Sequence, residues 1–236
     1  MEIKILSYNL FFNKAVEDLI YILKKYQPDI VGLQEVQIKN NLQKAFKNIG
    51  YTIGASSHSF TKFGIEYKIL TLYNTKKVKF SKFNYLNLPR NMYEKLLYVL
   101  RKSPLPRSFT LSFFSKAGKE FAHINVHLSP WSTDGAKVKQ IRKLFESTKK
   151  IKVPFVISGD FNFPYGRRRF EFLLQQYNLN EATKDLFYTQ ESRILKILPI
   201  RLKLDYILFK NLKHIQTKRL SKLTSDHYPI LSSFYL

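Results

Sequence analysis

The chain has 236 residues, enough for one sizeable hydrophobic core, and carries 40 Lys and Arg against 17 Asp and Glu. A net charge of +23 with neutral histidines makes a polyanion or an acidic surface the fitting partner. Cysteine is absent, which excludes disulfides, thiol catalysis and sulfur-ligated zinc, and no apolar run reaches the roughly 18 residues of a membrane span.

MEIKILSYNL opens as a strand with Ile3, Ile5, Tyr8 and Leu10 as apolar positions; it leaves no room for a secretory leader, so a cytoplasmic location is expected. From Lys14 to Tyr26, apolar residues at Val16, Leu19, Ile20 and Leu23 recur at helical spacing, and Pro28 closes that helix. Asp29 leads into IVGLQEV, a second short strand, and NLQKAFKNIG reads as a helix ended by Gly50. Between Tyr67 and Phe114, stretches rich in Tyr, Phe, Leu, Ile and Val are broken by NTKK, NLPRN and KSPLPR, the pattern of adjacent antiparallel strands. EFAHINVHLSP is another strand, and Ala136 to Lys150 a helix with Val138, Ile141, Leu144 and Phe145 on its buried side. VPFVISGDFN is a near-continuous apolar strand suited to a sheet interior. Arg168 to Tyr177 reads as a short helix, followed by the strands LDYILF, HIQTKRL and YPILSSFYL. No linker or low-complexity segment interrupts this order, so one domain spanning 1–236 is expected, of mixed α/β character at both ends around a strand-rich centre.

Polar residues gather where these strands end. Asn9 follows KILSY, Gln34 and Glu35 follow DIVGL, Asp160 and Asn162 follow FVISG, and Asp226 and His227 precede the last strand; His127 ends a further strand and Asp205 begins one. Taken singly, each also reads as a turn, cap or core residue. Charged groups at the mouths of buried strands need a partner, and a divalent cation is one. Carboxylates and amides with few imidazoles are hard oxygen ligands, suited to magnesium, manganese or calcium.

The ordered set SYN, LQE, NVHLSP, SGDFN, LDYIL and SDHYP, running from residue 6 to 230, resembles the endonuclease/exonuclease/phosphatase superfamily. The resemblance implies an α+β fold, a four-layer α-β-β-α sandwich of two mainly antiparallel sheets. It implies a magnesium site, with manganese as a substitute, at Glu35, Asp226 and Asn9. Asp160 matches the aspartate that orients or deprotonates the attacking water, and Asn162 the amide on a phosphate oxygen. His227 matches the histidine on the scissile phosphate, Asp205 the carboxylate that orients it, and His127 a second histidine found in some branches. Arg107 stands about where many members carry a basic residue facing the phosphate.

Within that frame the basic excess favours nucleic acid, DNA above all, cut by a nuclease or a DNA-end-processing phosphodiesterase that acts as a monomer. Trp131 and Tyr165, just beyond two of the motifs, are candidate stacking groups, and Arg167 and Arg168 in GRRRF are candidate phosphate contacts. A phosphatase or a sphingomyelinase-like phospholipid phosphodiesterase could use the same site. A non-catalytic nucleic-acid-binding module would not need these acids.

Overall fold

The computed structural model describes residues 1–90, 95–96, 106–130, 132–194, 198–221 and 224–236. In chain order the elements are β1 (Glu2–Asn9), α1 (Val16–Tyr26), β2 (Ile30–Val36), α2 (Asn40–Asn48), β3 (Tyr51–Lys62), β4 (Ile65–Asn74), β5 (Lys79–Asn87), β6 (Ser108–Lys116), β7 (Lys119–His127), α3 (Asp134–Thr148), β8 (Phe155–Asp160), α4 (Arg167–Tyr177), β9 (Asn180–Glu181), β10 (Gln190–Ile194), β11 (Leu198–Leu202), β12 (Asp205–Lys210), β13 (Lys213–Arg219) and β14 (Ile230–Tyr235). One sheet runs β13-β14-β1-β2-β4-β3 and the other β5-β6-β7-β8-β12-β9, with β10 and β11 as a separate hairpin.

Each sheet contains one parallel pair, β1 with β2 and β7 with β8, and the remaining neighbours are antiparallel. A parallel pair cannot be closed by a tight turn, so α1 and α3 carry the chain back across the outer faces. Leu19, Ile22 and Leu23 of α1, with Leu42 and Phe46 of α2, pack on Leu6, Val31 and Leu33 of the first sheet. Ile141, Leu144 and Phe145 of α3, with Phe170 and Leu173 of α4, pack on Ala122, Ile124, Ile157 and Leu208 of the second. A third cluster, including Ile5, Ile30, Phe121, Val156, Ile207 and Phe234, lies between the sheets. The layers are therefore helix, sheet, sheet, helix, as the resemblance implied. Among the described residues no helix is long and apolar enough to cross a membrane.

Alternation along each strand decides which side chains enter the middle layer. On β1 they are Ile3, Ile5, Ser7 and Asn9; on β7 they are Phe121, His123, Asn125 and His127; on β8 they are Val156, Ser158 and Asp160. Every series starts apolar and ends polar, and the parallel pairing brings all these ends to one rim. Two glycines allow close approach there, Gly32 between the sheets and Gly159 between β8 and β7. A Cβ on Gly32 would lie 2.8 Å from Ser158 Oγ, and one on Gly159, at φ 146°, would lie 2.0 Å from the Val126 carbonyl oxygen.

The twelve-residue β3 has no counterpart in the reading of the sequence. It is the edge strand facing the polar end of the middle layer, so GASSHS replaces the apolar alternation by which strands are recognised.

Candidate active site

Register sets the first row of the site. His127 pairs with Asp160 across β7 and β8, and Asp160 with Asp205 across β8 and β12, so the three side chains share the inner face of the second sheet. Asn9 pairs with Gln34 on the facing sheet. Between Leu33 and Val36 the β2–β4 register slips, and Glu35 takes φ 58° in that bulge. A left-handed glutamate costs about 1–2 kcal/mol; the bulge turns it out of the pleat and onto the rim.

Asp160 is the hub. Its Oδ1 accepts from the Asn162 amide nitrogen at 2.9 Å and its Oδ2 from Asn9 Nδ2 at 3.1 Å. Asn9 Oδ1 in turn accepts from the Phe11 backbone nitrogen at 3.0 Å, which fixes the amide orientation. Oδ2 of Asp160 also lies 3.5 Å from His127 Nε2 and 3.8 Å from His227 Nε2. Asn162, at φ 48°, donates Nδ2 to the Leu128 carbonyl at 3.1 Å.

The two histidines are in opposite states. His227 Nδ1 lies 2.8 Å from Asp205 Oδ2. Burial would lower its pKa, but the charges of Asp205 and Asp160 outweigh it and push the ring up to about 10, so it carries a proton at neutral pH. His127 is held well below the ordinary value by burial, with the charges of Arg107 and His227 adding to the effect, so it is neutral. Its Nδ1 meets Ser59 Oγ at 2.9 Å, and Ser59 Oγ accepts from Arg107 Nη1 at 3.2 Å. On the other edge of the ring Nε2 faces the carboxylates of Asp160 and Glu35, which accept, so the proton of the neutral ring belongs on Nε2 and Nδ1 accepts from Ser59. Glu35 Oε1 is 4.0 Å from that Nε2.

The acids are short of positive charge. Burial, first of all, raises Asp160 to about 7 against the opposing charge of His227, and Asp205 and Glu35 add to the rise. Burial also raises Glu35, with the Asp226 charge contributing. Asp160, Asp205 and His227 bring one ligand atom each within 4.8 Å of one another, a cluster able to hold a metal. Within it, however, His227 and Asp205 already satisfy each other. Among the described residues, the buried carboxylate oxygens that lack any donor are Glu35 Oε2 and Asp226 Oδ1, while Asp226 Oδ2 accepts from Gln190 Nε2 at 3.3 Å. Orphaned carboxylate oxygens on groups that feel each other's charge fit a hard divalent cation.

Thus Asn9, Glu35, His127, Asp160, Asn162, Asp205, Asp226 and His227 gather at one rim, with Arg107 at its edge through Ser59. Tyr165 is 65% exposed and Arg168 is exposed, both on the segment that follows Asp160. Arg167 departs from the sequence expectation: its guanidinium is committed to Glu171 at 2.8 Å and to the buried Glu181 at 2.5 Å, ties that hold α4 to β9. Trp131 lies outside the described residues. Ser59 and Asn125 were missed. Asn125 accepts from Gln34 Nε2 at 2.8 Å and donates to the Leu33 and Leu70 carbonyls, strapping the sheets together behind the site. Its place two residues before His127, on the same face, was a usable signal; nothing in the sequence marked Ser59.

A family model described as Endonuclease/Exonuclease/phosphatase family matches residues 6–227. No curated protein sequence matches the chain. Among solved structures, an endonuclease/exonuclease/phosphatase from Bacteroides vulgatus is similar at TM-score 0.76 and 18% identity, covering 100% of this chain and 99% of that one. D. rerio TDP2 complexed with single strand DNA product is similar at 0.75 and 16%, covering 100% and 99%. A Bacteroides thetaiotaomicron mannosyl-6-phosphatase is similar at 0.74 and 17%, covering 99% and 100%. At such identities the likeness is one of fold.

Proposed function

The chain belongs to the endonuclease/exonuclease/phosphatase family, and from that premise we propose that it is a magnesium-dependent phosphodiesterase acting on nucleic acid, a DNA nuclease or DNA-end-processing enzyme. The observation that carries the hydrolytic reading is the convergence on Asp160 Oδ2 of Asn9 at 3.1 Å, His127 at 3.5 Å and His227 at 3.8 Å, with Asp205 holding the far nitrogen of His227 at 2.8 Å. A binding module would have no use for it. The net charge of +23 supports an extended polyanion over a compact small substrate.

Glu35 and Asp226 would hold the metal, with Asn9 beside them orienting Asp160 and keeping a lone pair on Oδ1 for the same ion. A bound magnesium, or manganese in its place, would neutralise phosphate charge and polarise the phosphorus–oxygen bonds. Asp160 takes the proton of the attacking water as the new phosphorus–oxygen bond forms, a task suited to a carboxylate raised to about 7. His227, held by Asp205, donates Nε2–H to a non-bridging oxygen whose charge grows in the transition state, and His127 Nε2–H is a second, neutral donor. The Arg107 guanidinium and the second N–H of the Asn162 side-chain amide add further donors. The bond to the leaving oxygen then breaks, and solvent protonates it. Tyr165 and Arg168 are assigned to the strand beyond the scissile phosphate.

The test is turnover of purified protein on single- and double-stranded DNA, RNA, a 5'-phosphotyrosyl end, a sugar phosphomonoester and sphingomyelin, with magnesium and then with chelator. Cleavage of a nucleic acid that chelation abolishes is expected. Turnover confined to the monoester or to sphingomyelin would overturn the substrate assignment.

A further inference from the structure

Immediately after Asn9 the backbone does something costly. Phe11, Phe12 and Asn13 are consecutive residues at φ 46°, 59° and 66°. Glycine or asparagine would adopt such angles with little strain; two phenylalanines do not. The turn is clamped from both sides. Phe11 nitrogen donates to Asn9 Oδ1, and the Asn13 side chain exchanges hydrogen bonds with the Gln37 backbone, Nδ2 to the carbonyl at 2.7 Å and Oδ1 from the nitrogen at 3.0 Å. What this strained turn delivers is a pair of aromatic rings beside the catalytic rim.

Those rings continue into the site. Phe12 lies 5.3 Å from Phe11 and meets Tyr67 edge-on at 5.1 Å; Phe60 stacks on Tyr67 at 5.1 Å and meets the His127 ring edge-on at 5.8 Å. Cations alternate with the rings: Lys14 over Phe11 at 4.3 Å, Lys62 over Phe12 at 4.2 Å and Arg107 over Phe60 at 5.0 Å. Phe11, Phe12 and Phe60 are half-buried. Rings spaced among cations match a polymer whose flat bases alternate with phosphates.

We propose that Phe11, Phe12 and Phe60 form a stacking ledge for unpaired nucleobases beside the scissile phosphate, with Lys14, Lys62 and Arg107 meeting the neighbouring phosphates. The inference rests on the nucleic-acid reading above and adds a preference for a single-stranded segment, because bases held in a duplex have no free face to offer. A lipid surface is the competing occupant, since Phe63 is 91% exposed at the β3–β4 turn. It is the poorer fit: acyl chains bring no anion to the cations Lys14, Lys62 and Arg107 that lie against these rings, whereas a strand brings a phosphate beside each base.

The experiment measures KM, with magnesium, for a single-stranded oligonucleotide and for the same strand carrying abasic units beside the cleavage point. Wild type should show a KM ratio of about tenfold in favour of the base-bearing strand, the scale of one base–aromatic stack. In Phe12→Leu and Phe11→Leu, each with a melting curve as the folding control, that ratio should fall toward one. A ratio unchanged in both variants overturns the ledge, as does a loss of binding to phosphatidylserine vesicles with the ratio intact. A protein that turns over neither strand but hydrolyses sphingomyelin or a monoester fails at the earlier step, and the substrate reading falls with the ledge.

Discussion

The middle layer of the sandwich has two ends built by opposite rules from the same strands. At the closed end Ile3, Ile5, Phe114, Phe121, Phe209 and Phe234 pack on one another in an apolar cluster. At the rim, the next inward positions are Ser7, Asn9, Asn125, His127, Ser158, Asp160 and Asp205, and beside them Glu35 Oε2 and Asp226 Oδ1 lack any partner. The difference teaches where this fold stores stability and where it spends it. Apolar burial at one end holds the sheets together, and that lets the other end keep buried charges, a left-handed Glu35 and unpaired oxygens that would not survive alone.

The sharpest way to break that division is to substitute its two ends and compare. Asp160→Asn should lower kcat by about a thousandfold, the scale of a lost general base, with a melting temperature equal to or above wild type because a buried charge has gone. Phe234→Ala, at the closed end, should cost about 3–5 kcal/mol by denaturant titration, with kcat per folded molecule retained. A stability loss in the first, or an activity loss in the second without unfolding, would show that the two ends are not separable. Next in size is the metal. If Glu35 and Asp226 hold it, magnesium at about a hundred times its dissociation constant should stabilise the wild type by about 2.7 kcal/mol, read as a rise in melting temperature. Glu35→Gln should abolish that rise while Asp205→Asn keeps part of it; the reverse result would move the ion to the Asp160, Asp205 and His227 cluster.

Much of the rim was legible in the sequence because its residues close apolar strands, and parallel crossovers must deliver strand ends to one edge. Strand ends drew attention to SYN, LQE, NVHLSP, SGDFN and SDHYP, and the family resemblance placed them together. The four-layer order came only through the resemblance. Hydrophobic periodicity alone gave crossover units and could not say that two sheets face each other. What stayed hidden depends on partners far along the chain. Arg167 looked like a phosphate contact because nothing near it in sequence announces Glu181 as its ion-pair partner. Ser59 was invisible because β3 lacks alternation, and a serine in a polar stretch carries no signal of the histidine that it serves.

Ser59 also offers a finer test of the rim. Its hydroxyl donates to Nδ1 of His127 and keeps the ring proton on Nε2, so Ser59→Ala should lower kcat about tenfold, in keeping with one lost hydrogen bond of roughly 1–1.5 kcal/mol. Ser59→Thr keeps the hydroxyl and should recover most of that loss. A purely structural role would instead show in the melting temperature, and threonine would not restore the rate.

A separate test is the dependence of stability on pH, and its sign follows from which state holds the proton more tightly. Folded His227 titrates near 10, above its ordinary 6.5, so its contribution to stability is whole below pH 6.5 and disappears as pH rises through about 10. Asp160, raised from 3.8 to about 7, acts in the same direction over a lower window: its protonated form favours folding below 3.8, and that advantage is lost by about pH 7. Metal-free protein should therefore melt at progressively lower temperature from pH 4 to pH 10 as far as these two groups decide it. Asp160→Asn should flatten the lower half of that slope. Asp205→Asn should flatten the upper half, because it removes the foremost charge that raises His227. If both slopes persist in both variants, the two groups are not the proton-holding pair at this rim, and the polar end owes its character to the carboxylates of Glu35 and Asp226 alone.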